Sequence, residues 1–351
     1  MSEEYKTSLT DEHKNFLQGL FKDGASFDPE VLRVYASDAS LRVGTVLAMV
    51  RPENADQLCA FMRWADAERV AVHPRGRGTS LSGGCVPTVP GIVVSMLGMD
   101  RILEISKEDF VAVVEPGVNT ALLQAECEKL GMFYPPDPAS GKATSVGGNV
   151  ITCAGGLRAV KYGVTRDYVL GLEAVLPGGK LVRFGGRSHK DVIGLDLGRL
   201  FVGSEGSLGI VTKLTLKLIP KPEASASVLV GYPSLDAALA SMGKVFAAGI
   251  LPCAVEFMNE TVLEILTKTG QIPAAFSGGR QPRHRAPGKR PAFQTAGRRP
   301  LAHGRRGQRR GGQTLGLPPQ GFGSLLCAGA GPHRRRHGRT ARLHPQGRTP
   351  L

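Results

Sequence analysis

The stretch HPRGRGTSLSGG, residues 73–84, follows the apolar run Val70, Ala71, Val72 and holds four glycines and two arginines. A strand that opens into so many glycines exposes backbone N–H groups, because a residue without Cβ permits close approach and φ > 0. Consecutive N–H groups in such a turn form an anion-binding concavity. Thr79, Ser80 and Ser82 add hydroxyl donors, and Arg75 and Arg77 either add charge at the rim or point to solvent. The favoured chemistry is a pyrophosphate cradle; the alternative is a plain tight turn. Two phosphate motifs are excluded. GRGTSLSGG lacks the G-x-G-x-x-G spacing of a Rossmann turn, and SGKATS lacks the upstream glycine of a P-loop, with Pro136 in its place.

Working outward, the periodicity alternates between strand-like and helix-like. Thr10 caps a short helix, DEHKNFLQGLF. TVLAMVR (45–51) reads as a strand and NADQLCAFMRWADAE (54–68) as a helix; RVAVHP then leads into the glycine loop. Strands GIVVSM, RILEI and AVVEPG follow, then a helix, NTALLQAECEKLG. This mixture predicts an α+β or α/β domain and not a bundle. Two further glycine loops are expected, YPPDPASGKATSVGGNVITCAGG (134–156) and GSEGSLGIV (203–211). Three glycine loops, each beside a strand, suit one long ligand touched at several points.

The chain has 351 residues and a net charge of +14, but the charge is not evenly spread. Residues 271–351 hold 16 Arg, 1 Lys and no acid, whereas residues 1–270 hold 27 basic and 30 acidic residues. The tail also lacks Val, Tyr and Trp, and keeps no sustained period. Such a composition does not bury enough apolar surface to offset its ordering entropy, so a disordered basic tail is expected. Two origins compete: a genuine nucleic-acid or membrane-binding tail, and out-of-frame translation of a GC-rich gene. The abrupt onset in mid-domain favours the second, and a nucleic-acid partner is not expected. No apolar run approaches the roughly 20 residues that span a bilayer, and the polar N-terminus is not a signal peptide, so a cytoplasmic protein is expected. The six cysteines are scattered without zinc or disulfide spacing, and no metal is expected.

PRGRGTSLSGG, the segment from PPDPASGKATS through VLPGG, and LFVGSEGSLGIVTKLTLKLIPKPE together resemble the FAD-linked oxidase family with the vanillyl-alcohol-oxidase (PCMH-type) flavin domain. YASDAS (35–40) and GGRSHKDVIGLDLGRL (185–200) resemble the subgroup of glycolate oxidase flavin subunits and D-lactate dehydrogenases. The resemblance spans about residues 10–270. It implies an α+β fold with a two-subdomain PCMH-type FAD-binding domain, an incomplete α/β cap and the basic tail. The expected boundaries are an N-terminal helical segment (1–41), the FAD-binding domain (42–221), the start of the cap (222–270) and the tail (271–351).

The resemblance also implies roles. Pro74, Arg75, Gly76, Arg77, Gly78, Thr79, Ser80, Ser82 and Gly83 would hold the pyrophosphate, chiefly through backbone N–H groups. Asp137, Pro138 and Ser140 would line the flavin with Gly147, Gly148 and Asn149, and Gly155 and Gly156 would continue that strip. Glu205, Gly206, Ile210 and Val211 would reach the ribityl, ribose or adenine side. Some relatives tether FAD through a histidine that matches Thr79, so noncovalent FAD is expected here; His73 reads as a packed strand residue.

The reaction implied is oxidation of a small 2-hydroxy acid, glycolate or D-lactate, by hydride transfer to flavin N5, with electrons passed to a partner subunit or the quinone pool. That chemistry needs a base for the hydroxyl proton and a clamp for the carboxylate. In the family both come from the cap and a C-terminal segment. Here the cap begins as strand, helix, strand, helix (ASVLVGYPS to ETVLEILTK) and then meets the foreign composition, so no catalytic residue is assigned. Alternatives are a noncatalytic FAD-binding fragment and a nucleic-acid binder acting through the tail.

Overall fold

The computed structural model describes residues 5–232, 234–270 and 325–330. In chain order the first layer comprises α1 (Asp11–Phe21), β1 (Ala25–Ser26), α2 (Pro29–Tyr35), β2 (Val46–Val50), α3 (Ala55–Ala67), β3 (Ala71–Arg75) and β4 (Gly91–Ser95). Its sheet runs β1-β2-β4-β3, with β2, β4 and β3 parallel and β1 antiparallel at one edge. All five residues of β4 are buried, as expected of a central parallel strand covered on both faces. Thr10 caps α1 by accepting from the His13 amide, and Asn54 caps α3 by accepting from the Gln57 amide. Each such cap contributes about 1 kcal/mol.

The apolar faces of α1 and α3 meet over this sheet. Leu17, Leu58 and Phe61 are fully buried there, and Phe16 stacks on Trp64 at 4.9 Å. α1 packs into the core of the first layer and β1 pairs at the edge of its sheet.

The second layer comprises β5 (Ile102–Ser106), β6 (Val111–Val114), α4 (Thr120–Lys129), β7 (Met132–Phe133), α5 (Val146–Ile151), α6 (Ala159–Tyr162), β8 (Val169–Val175), β9 (Leu181–Gly185), α7 (Gly198–Phe201), β10 (Ile210–Lys217) and β11 (Ile219–Pro220). Its main sheet, β5-β6-β10-β8-β9, is wholly antiparallel. From Thr212 onward β10 alternates buried and half-buried residues, the signature of a sheet with one face on a core. Val175 and Ile210 of this sheet belong to the core of the first layer, so the two subdomains share apolar contacts at one end.

The cap follows as β12 (Ala226–Gly231), α8 (Leu235–Ala247), β13 (Ala254–Met258) and α9 (Glu260–Lys268), in the expected order. One expectation is corrected. Leu325–Ala330, inside the segment read as a disordered tail, forms β14 and lies between β12 and β13, antiparallel to both. The six residues LLCAGA supply the central strand of this sheet. The rest of that tail lies outside the described residues. Among the described residues, no helix is long and apolar enough to cross a membrane.

Candidate functional site

The two layers meet at a cleft of about 700 Å³. One wall is the loop after β3, which carries Gly76, Arg77, Gly78, Thr79, Ser80 and Ser82. Opposite stand Ser140, Gly148, Asn149 and Gly155 from the second layer, with Pro74 and Glu205 also lining the space. The cleft continues past Cys85 and Glu205 into a recess of about 340 Å³ beside His73 and Gly206. A further recess of about 350 Å³ shares Pro74 and Gly206 and reaches Ile210. A narrow apolar gap beneath the loop is lined by Arg75, Gly147, Gly206, Ile210 and Val211. Asp137 and Pro138 line a separate outer cleft of about 550 Å³ that shares Ser140. Gly83 and Gly156 line none of these spaces.

Two glycines carry the first loop. Gly78 has φ +67°, and its bare Cα lies directly over the Arg75 guanidinium. Gly76 abuts Ser145, where an added Cβ would overlap Oγ. Gly78 thus leaves room for the Arg75 side chain beneath its own loop, and Gly76 lets the loop lie against Ser145 of the second layer.

Arg75 departs from expectation. It is neither at the rim nor in solvent: it is 7 % exposed, because its place at the end of β3 turns it inward. Nη1 donates to Cys85 Sγ at 3.4 Å, and the guanidinium lies 5.5 Å from the Tyr35 ring centroid. Burial pushes the nearby Asp38 carboxyl up, but hydrogen bonds from Ser40 and Cys85, with Arg75 close by, hold it below the usual carboxylate range. Burial pushes the Cys85 thiol up. Arg75 is thus an internal strut under the loop.

The side chains of Asn149 and Asp137 are also committed. Asn149 lines the cleft, but its carboxamide bonds Thr144 and Thr120. Asp137 pairs with Arg158 at 3.2 Å. Glu205 is exposed at the mouth with φ +52°. His73 hydrogen-bonds through Nε2 to the Val89 carbonyl at 3.0 Å, and burial lowers its pKa. That is the environment of a packed, neutral strand residue.

The stretch 134–156 is not all loop. It contains α5, capped by Ser145 Oγ, which accepts from the Gly148 amide at 3.4 Å. Two glycines in VGGNVI conceal this helix from propensity, although a serine just before the apolar run is a starting signal. Thr144, Ser145, Cys85 and Cys153 line the cleft and escape the sequence reading. Among the described residues no cluster of His, Cys, Asp and Glu is arranged to hold a metal.

Residues 46–185 match the model of the FAD binding domain, and residues 221–292 match that of the C-terminal domain of FAD linked oxidases. The second match runs past the composition change at 270. The chain is 45 % identical over 240 residues to the glycolate oxidase subunit GlcD of Bacillus subtilis, covering 68 % of this chain and 51 % of that protein. It is 41 % identical over 215 residues to the D-lactate dehydrogenase of Anaerostipes hadrus, covering 61 % and 45 %. The chain thus spans about half the length of these curated relatives. Among solved structures, alkyldihydroxyacetonephosphate synthase superposes with a TM-score of 0.66 at 20 % identity, covering 79 % of this chain and 52 % of that one, a likeness of fold. The chain belongs to the FAD-linked oxidases, and FAD is the cofactor of its binding domain.

Proposed function

We propose that the cleft between the two layers holds FAD noncovalently and that the protein acts on a small 2-hydroxy acid, glycolate or D-lactate. One observation carries this reading. Glycine loops from different layers line one cleft, and two recesses that share Pro74 with it extend the space toward Gly206 and Ile210. An elongated space with bare backbone on both walls suits a dinucleotide.

In this reading the backbone N–H groups of the loop from Gly76 to Gly83, Thr79 among them, and the Ser80 and Ser82 hydroxyls take the pyrophosphate. Ser140, Gly147, Gly148 and Gly155 line the flavin, with Asp137 and Pro138 holding the outer arm of their loop and Gly156 closing the strip. Glu205, Gly206, Ile210 and Val211 serve the nucleoside half. Thr79 offers no ring nitrogen for a covalent tether. When bound, FAD supplies the hydride acceptor.

The residues of this chain bind and orient; a base and a carboxylate clamp are what the cap must add. Residues 222–270 contain neither His nor Arg. We therefore read the chain as catalytically incomplete, an FAD binder whose substrate chemistry belongs to the longer relatives. A cytoplasmic setting, with electrons passing to a partner subunit or the quinone pool, completes the proposal.

The test is the visible spectrum of the purified full chain, followed by anaerobic glycolate or D-lactate and then denaturation and ultrafiltration. The expected result is an oxidised flavin spectrum that neither acid bleaches, with all flavin in the filtrate. Bleaching would refute the incomplete cap, flavin retained with the polypeptide would refute noncovalent binding, and absence of flavin would refute the cleft assignment.

A further inference from the structure

A chain of hydrogen bonds, two of them buried, crosses from one glycine loop to the other. Thr79 Oγ1 donates to Thr144 Oγ1 at 3.4 Å, Thr144 Oγ1 donates to Asn149 Oδ1 at 2.9 Å, and Asn149 Nδ2 donates to Thr120 Oγ1 at 2.8 Å. Thr120, Asn149 and Thr144 are 0 %, 2 % and 4 % exposed. Thr79 belongs to the loop of the first layer and the other three to the second layer. The relay is therefore a direct polar tie between the two walls of the cleft.

The far end of the relay is well anchored. The Thr120 amide donates to the Thr144 carbonyl at 3.2 Å. Asn119 Nδ2 donates to the Lys142 carbonyl at 2.9 Å, and Gln124 Nε2 donates to the Pro136 carbonyl at 2.7 Å. The first turns of α4 thus hold both arms of the loop that leads into α5. Buried polar groups joined in this way are specified tightly, because each partner lost leaves another unsatisfied.

We propose that Thr120, Asn149 and Thr144 are positioning residues that set the spacing of the two glycine loops for the cofactor, acting through Thr79. The inference rests on the reading that this cleft holds FAD. The carboxamide of Asn149 is spent within the protein, so its contribution is to geometry and not to direct flavin contact.

The test uses Thr144→Val, which keeps the shape and removes both hydrogen bonds of the hydroxyl, and Thr144→Ser, which keeps the hydroxyl. Tyr168→Phe is the control: it removes a hydrogen bond of 2.7 Å, to the Tyr162 carbonyl, from a residue that lines no part of the cleft. Two quantities are read on the full chain: FAD affinity by fluorescence titration, and hydrogen exchange of the amides between Gly76 and Gly84 without FAD. Thr144→Val is expected to weaken FAD about tenfold, equivalent to about 1.4 kcal/mol, and to speed exchange in that loop. Thr144→Ser should restore both, and Tyr168→Phe should leave both unchanged. Equal behaviour of Thr144→Val and Tyr168→Phe would overturn the inference. If the wild-type chain binds no FAD while Thr144→Val still speeds loop exchange, the tie stands and the cofactor assignment of the cleft falls.

Discussion

Replacing Gly76 by alanine tests the contact between the two layers. Gly76 is not in a left-handed conformation, so alanine is compatible with its backbone. The new Cβ would overlap Ser145 Oγ, whereas the next neighbours, Ser145 Cβ and Gly148 Cα, stand at 3.7 and 3.8 Å, ordinary contact. The obstruction is thus a single rotatable hydroxyl. Turning it away relieves the overlap but removes the cap that Ser145 places on the Gly148 amide at 3.4 Å. Loss of a serine cap costs about 1 kcal/mol. Ser145→Ala forfeits the same cap directly, so each single variant should lose about 1 kcal/mol through the cap. In the double variant the cap is lost once and the methyl meets only Cβ, so the coupling should be about −1 kcal/mol. The entropy that alanine removes from the unfolded chain, about 0.4–1 kcal/mol, is present in both Gly76→Ala backgrounds and cancels. Urea denaturation of the four proteins gives the cycle. Strictly additive losses would refute the assignment of Ser145 Oγ as the sole obstruction.

Two further outcomes follow from the site. Cys85 and Cys153 line the cleft, whereas Cys253 lies outside it, so bound FAD should slow alkylation of the first two by a maleimide and leave Cys253 unchanged. Equal labelling of all three with and without FAD, read by peptide mass spectrometry, would count against the cleft. Burial lowers the pKa of His73, opposed by its bond to the Val89 carbonyl. Between that folded value and about 6.5, the unfolded chain binds the extra proton, so stability should fall as pH drops through this window. Urea midpoints from pH 8 down to 5 should show the slope, and His73→Gln should flatten its contribution; an unchanged slope in the variant would refute it.

Much of the first 270 residues was legible before any coordinates. Thr10 announces a helix because a side-chain acceptor just before an apolar-periodic run satisfies an orphan amide within three residues, a purely local event, and in the structure Asn54, read as the first residue of its helix, serves α3 the same way. β4 was likewise legible as the apolar run GIVVSM, whereas the burial of all five of its residues and the alternation along β10 are seen in the structure. The cap elements came out in order for the same reason. By contrast, α5 was hidden by its two glycines, and β14 by a composition that gives no sustained period. The match of the C-terminal domain model to residue 292 also shows that family-like sequence continues beyond the change in charge.

The sequence by itself determined most of the strands and helices of the first 270 residues and where the glycine-rich loops lie. It also carried the family, through three glycine motifs in a fixed order. Only the tertiary structure decided what the side chains near those motifs do. Arg75 looks like a surface cation in the sequence, yet it is buried against Tyr35 and Cys85. Asn149 looks like a ligand, yet its amide is taken by Thr144 and Thr120. The physical reason is range. Caps and turns are settled by neighbours a few residues away, whereas Thr79 meets Thr144 across 65 residues, and only packing of the two layers brings them together.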